Sequence, residues 1–177
     1  MQDEDFLRRP AAPQPYSLTP AILYLSSDAV HATHKLLQRA GRNESCVFWY
    51  GERHGDNASV HSIRAPVQRS RRGNYHVEPE SMSEMVRDLR AAWRPLAQIH
   101  SHPGVEVEHS RYDDAMVSSR RILSIVFPYY GRPIANWPSD IGVHEWQLNY
   151  WHMLSSADAM ARVRLREFAD VEVRDFR

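Results

Sequence analysis

One cysteine, Cys46, among 177 residues leaves no internal disulfide and no cysteine-based zinc motif. Charge of one sign is also missing, with 22 basic and 22 acidic side chains in balance. No overall field therefore argues for nucleic acid or an anionic membrane surface as partner. No apolar run approaches the roughly twenty residues that a membrane-spanning helix needs. The opening MQDEDFLRRP lacks the apolar core of a secretion signal. The expectation is a soluble, cytoplasmic protein whose length suits one domain with a sizeable core plus a tail.

Residues 1–17, with Pro10, Pro13 and Pro15, hold few apolar side chains and read as a flexible, proline-rich N-terminal tail, or alternatively a docking segment. The domain is expected over 18–177. AILYL reads as a strand, Ser26 to Asp28 as a cap, and the pattern through Val30, Leu36 and Leu37 as a helix ended by Gly41. SCVFWYGE is a continuous apolar run typical of a buried strand. QRSRRGN, with turn chemistry at Gly73-Asn74, is expected at a hairpin tip. Its arginines are either solvated or turned to an acidic partner.

PESMSEMVRDLRAAW is expected to be a helix, with Met82, Met85, Val86, Leu89 and Trp93 as one apolar stripe. PLAQIHSH then predicts a strand, Ser110 a helix to about Arg120, and ILSIVFPYY a buried strand. HEWQLNYWHML predicts one further strand, Ser155 a capped short helix, and VRLREF with VEVRDFR the closing segments. The class is α/β, with strands alternating and pairing around about three helices.

The chemistry is concentrated in QIHSHPGVEVEHSRYDD, residues 98–114. His100 and His102 stand two apart on a predicted strand, so both side chains leave the same face. Pro103 and Gly104 stop the strand there. Eight residues after His102, Ser110 is placed to cap a helix, and Asp113 falls in its first turn. A loop of this length can fold back to bring Asp113 towards the histidines. Two imidazoles and a carboxylate leave one tetrahedral position open to water, the pattern of catalytic zinc. Iron, cobalt and manganese share the same ligand types. Ser-x-x-Asp is also an ordinary helix N-terminal box.

HSHPGVEVEHSRYD reads as H-x-H-x7-S-x2-D and resembles the signature of the JAMM metalloproteases, also called the MPN+ or JAB family. NESCVFWYG resembles that family's upstream E-x-x-G-φ-φ-φ-G element, which selects Glu44 and keeps Gly51, although Val47 stands where the family has a small glycine. The resemblance spans about residues 18–154. It implies a single MPN (JAB)-type domain with a mixed, curved β-sheet. HPG, the close-set HSRYDD, LSIVFPYYG and HEWQ resemble bacterial members encoded beside ubiquitin-activating and ubiquitin-conjugating homologues, among them antiphage operons.

The assignment is one Zn2+ held by His100, His102 and Asp113. The resemblance implies Glu44 as general acid–base and Ser110 as hydrogen-bond donor to the oxyanion. His109, Glu106, Glu108 and Asp114 are expected to stand aside. Glu52 is a rival to Glu44 at the far end of its strand, and Cys46 is a small buried side chain. His31, His34, His54, His61, His76, His144 and His152 show no paired ligand spacing. The implied activity is hydrolysis after the C-terminal tail of a ubiquitin-like protein, with E1/E2-like proteins of the same operon as further partners. The alternatives are a metal hydrolase of small peptide or sulfur-carrier conjugates, and a non-catalytic MPN scaffold.

Overall fold

In the computed structural model, which describes residues 8–167 and 170–177, regular structure starts with strand β1 (Leu23–Leu25) and helix α1 (Ser27–Gln38). Two long strands, β2 (Cys46–His54) and β3 (Asn57–Ala65), lead to a small hairpin, β4 (Arg69–Arg71) and β5 (Asn74–His76). Helix α2 (Pro79–Val86), strand β6 (Arg94–Ser101), helix α3 (Arg111–Met116) and strand β7 (Leu123–Phe127) follow. Strands β8 (Gly142–Gln147) and β9 (Tyr150–Met153), helix α4 (Ser156–Arg162), and strands β10 (Val163–Leu165) and β11 (Glu172–Asp175) close the order. The α/β class is as expected, with four helices rather than about three among the described residues. None of them is long and apolar enough to cross a membrane.

The main sheet runs β10-β1-β3-β2-β6-β7-β8-β9, with β11 pairing the later half of β3. It is mixed: β6 and β7 are parallel, whereas β2 is antiparallel to both of its neighbours. β2 is buried on both faces, which explains its unbroken apolar run. Val47 and Trp49 join the larger core beneath α1, and Cys46, Phe48 and Tyr50 join a smaller one with Tyr75 and Met85. Val47 is fully buried opposite Ile99, so its side chain is part of the core.

The predicted caps are present where α1 and α4 begin: Ser26 accepts from the Ala29 amide and Ser155 from that of Asp158. Four boundaries differ from the sequence reading. Helix α2 stops at Val86 rather than near Trp93, where the buried Arg64 guanidinium donates to Met85 O at 2.7 Å and to Asp88 Oδ1 at 2.8 Å. Within the expected stripe Val86 is exposed, while Met85 and Trp93 are buried. Helix α3 stops at Met116 rather than Arg120, because the Gln98 amide donates to Met116 O at 3.0 Å and accepts from Ser118 N at 2.8 Å. HEWQLNYWHM is two strands, because Leu148 and Asn149 both take positive φ and turn the chain back. Finally, residues 8–17 of the expected tail lack helix or strand but contact the β8–β9 hairpin: Tyr16 Oη donates to Glu145 and Tyr150 Oη to Pro10 O, both at 2.6 Å. Residues 1–7 of that expected tail lie outside the described residues.

Candidate metal centre

Strand β6 presents His100 opposite Cys46 of β2, on the face of the smaller core, where Tyr75 packs 5.5 Å from the imidazole. The antiparallel register continues past the strand, since Ser101 N donates to Ser45 O at 3.1 Å. Glu44 is thereby carried towards His102, on the same face. Its own amide donates to Arg71 O at 2.7 Å, which ties it to the β4–β5 hairpin.

Beyond His102 the chain turns across β8. A Cβ on Gly142 would lie 2.1 Å from Val107 O, so glycine lets this loop pass close to the strand. The loop enters α3 at Ser110, whose hydroxyl accepts from Asp113 N at 3.2 Å, while Asp113 Oδ2 accepts from Ser110 N at 2.6 Å. This reciprocal cap turns the Asp113 carboxylate back over the N-terminus and onto the histidines.

The three side chains converge. His100 Nε2 and His102 Nε2 are 3.0 Å apart, and each lies 3.3 Å from an Asp113 oxygen. Two bonds of about 2.0 Å at a tetrahedral angle place ligand atoms about 3.3 Å apart, so the donor set fits a zinc-sized cation. His102 Nδ1 donates to Glu106 O at 2.9 Å, leaving the Nε2 lone pair free for a metal. His100 Nδ1 is buried without a partner among the described residues. His100, His102 and Asp113 together could hold a metal ion.

Burial raises the Glu44 carboxyl to about 7, with His102 pulling it down and Asp113 pushing it up. Burial also acts to raise Asp113, but the two histidines outweigh it and hold the carboxylate well below its usual range. Burial lowers His100. In His102 the same lowering is outweighed by the combined pull of Asp113, the Glu44 charge and the Glu106 carbonyl, and its pKa rises. Glu44 is thus a buried carboxyl poised around neutrality near His102 and the ionised Asp113.

Of the residues expected to stand aside, His109 and Asp114 form a layer behind the candidate ligands, whereas the Glu106 side chain is exposed. His109 is buried, its Nδ1 2.9 Å from Asp114 Oδ1 and its Nε2 2.8 Å from Ser124 Oγ, so neither nitrogen is free for a metal. His144 stacks on it at 3.8 Å. Asp–His–Ser connectivity of this kind would suggest a nucleophilic serine, but Ser124 lies wholly buried in β7, out of reach of a substrate. Burial raises Asp114 to about 6 against the pull of Arg9. Glu52 lies at the far end of β2, beside His54. Cys46 is fully buried, its thiol pushed above the normal range by burial. Sequence reasoning passed over Arg9, Gln98 and Tyr130. Tyr130 takes a positive φ, donates its amide to His102 O at 2.7 Å and reaches Arg72 O with its hydroxyl at 3.4 Å. Only spatial neighbourhood reveals these three.

No family model matches the chain, and no curated protein matches it either. A likeness is found in shape. The solution structure of protein DSY2949 from Desulfitobacterium hafniense aligns with a TM-score of 0.60 at 16% identity, covering 83% of this chain and 94% of that one. Identity this low speaks to the fold alone.

Proposed function

We propose that this chain is a JAMM-type zinc isopeptidase that hydrolyses the bond following the C-terminal tail of a ubiquitin-like protein. The observation that carries the reading is the convergence of His100, His102 and Asp113 with the buried Glu44 beside them. Bound by those three ligands, the ion would lower the pKa of a water and polarise the scissile carbonyl.

Glu44 accepts the proton of the attacking water and returns it to the leaving amine, a task suited to a carboxyl lifted to about 7. Ser110 donates from its hydroxyl to Asp113 Oδ2 at 2.8 Å and turns that donor to the oxyanion as charge develops. The β4–β5 hairpin, joined to Glu44 through Arg71, offers backbone to an extended substrate tail. Its exposed Arg71 and Arg72 suit acidic groups on the partner, while Arg69 pairs with Glu78.

The test couples metal content to cleavage of fusions between ubiquitin-like proteins and a reporter. About one equivalent of zinc is expected in the purified protein, with cleavage lost on chelation and restored by zinc. Glu44→Gln should lower turnover by about 100-fold or more while retaining the metal. Full activity in that variant rules out the assigned base. Zinc-free protein that cleaves nothing points to a scaffold, and cleavage confined to short peptides points to a small-conjugate hydrolase.

A further inference from the structure

Arg9 lies far from the candidate ligands in sequence, yet its side chain is only 3% exposed. Its Nη1 donates to both oxygens of Asp114, at 3.2 and 3.4 Å, and to Trp151 O of β9 at 2.7 Å. Its Nη2 reaches Glu108 Oε1 at 3.4 Å. The guanidinium also sits 4.8 Å from the centre of the Tyr150 ring, whose hydroxyl holds Pro10 O. One side chain thus ties together the loop after His102, the first turn of α3 and an edge strand of the sheet.

We infer that Arg9 is a positioning residue of the metal centre, and that the segment around it is an integral part of the site. The inference rests on the proposed metal-binding reading. Its physical basis is the pair Asp113-Asp114. Two neighbouring carboxylates at one helix start compete for the same cation, and rotation of α3 by one residue exchanges them. Arg9 occupies both oxygens of Asp114, and His109 holds Oδ1 from the other side while anchored to Ser124. That relay keeps Asp114 out of the ligand set and fixes the rotation at which Asp113 faces His100 and His102. A guanidinium suits this work because its planar fork holds donors in fixed directions towards several acceptors, whereas an ammonium's three donors rotate on a flexible stem.

The experiment uses the full chain. Zinc affinity is measured by competition with a chromophoric chelator, and the visible spectrum is recorded after Co2+ substitution. Arg9→Ala should lose about tenfold or more in zinc affinity, as loss of an outer-sphere partner does, and should shift the Co2+ bands. Arg9→Lys should recover part of the affinity. Affinity within about twofold of the parent and an unchanged Co2+ spectrum in Arg9→Ala would overturn the inference. If Arg9→Ala does not fold, Arg9→Lys decides: parental affinity overturns the inference and reduced affinity supports it. A parent protein that takes up neither zinc nor cobalt overturns the metal-binding reading and this inference with it. That outcome is distinct from a parent that binds zinc no better than its variants.

Discussion

A methyl group at Gly51 would lie 1.8 Å from Ser59 O and 3.0 Å from a Leu96 methyl, and the nearer obstacle is backbone. The pairing of β2 shifts register on both sides around this residue, so the crowding lies in the middle of the sheet. Gly51→Ala should therefore destabilise the fold by about 2–3 kcal/mol, read as a lower urea midpoint with unchanged slope. Zinc uptake should survive in the folded fraction, because Gly51 and the candidate ligands lie at opposite ends of the β2–β6 pair. At this scale much of the candidate site was legible. His100, His102 and Asp113 sit within one short stretch, and strand and cap geometry alone bring them together. Glu44 was reached only through a resemblance, because no local spacing links it to the histidines. Arg9 left no signal at all, since an arginine after Arg8 and before Pro10 in a polar stretch looks like any solvated one.

The ends of elements were the least legible feature, and Gln98 shows why. Its side chain is buried, donates to Tyr75 Oη at 2.9 Å and to Met116 O at 3.0 Å, and accepts from Ser118 N at 2.8 Å. A glutamine on β6 therefore ends a helix eighteen residues later, which no reading of the helix's own sequence could foresee. Gln98→Leu fills similar space but strands these buried polar groups. It should cost about 2–4 kcal/mol, measured as a loss of thermal and urea stability. The β8–β9 turn was missed for a related reason. Leu148 adopts a positive φ without being glycine or asparagine, so Asn149 is the one conventional turn residue of the pair. Strands β2 and β7 were legible because both are buried on two faces and carry continuous apolar runs.

Across the whole molecule, polar contacts bind the C-terminal segment to the first helix. Asp175 accepts from Arg39 at 2.5 Å and from Arg177 at 2.8 Å, and Arg177 also donates to Leu36 O at 2.9 Å. Burial pushes the Asp175 carboxyl upward, but the hydrogen bonds from Arg177 and Arg39 outweigh it and hold it at about 2. A carboxyl depressed in the fold stabilises fully above its unfolded pKa of about 3.9, and that contribution fades as pH falls towards 2. Asp175→Asn should therefore melt below the parent at pH 5, with the gap closing between about pH 4 and pH 2. A gap that stays constant over that range would remove the ion pairs as its cause. Solvent screening of this partly exposed cluster keeps the expected gap small.

Residues 100 to 113 form a short loop, whereas Glu44 and Arg9 reach the same place only after long stretches of chain have been arranged. Closing a short loop is entropically cheap and closing a long one is less so. The geometry therefore separates two events in the life of the polypeptide. The three candidate ligands can gather as soon as β6, its loop and α3 exist, before the rest of the sheet is in order. The carboxyl beside them arrives only when β2 docks in register, and the arginine only when the first residues lie down along β9. A loose gathering of the three ligands would then precede both the fixed rotation that Arg9 imposes on them and the carboxyl that Glu44 supplies.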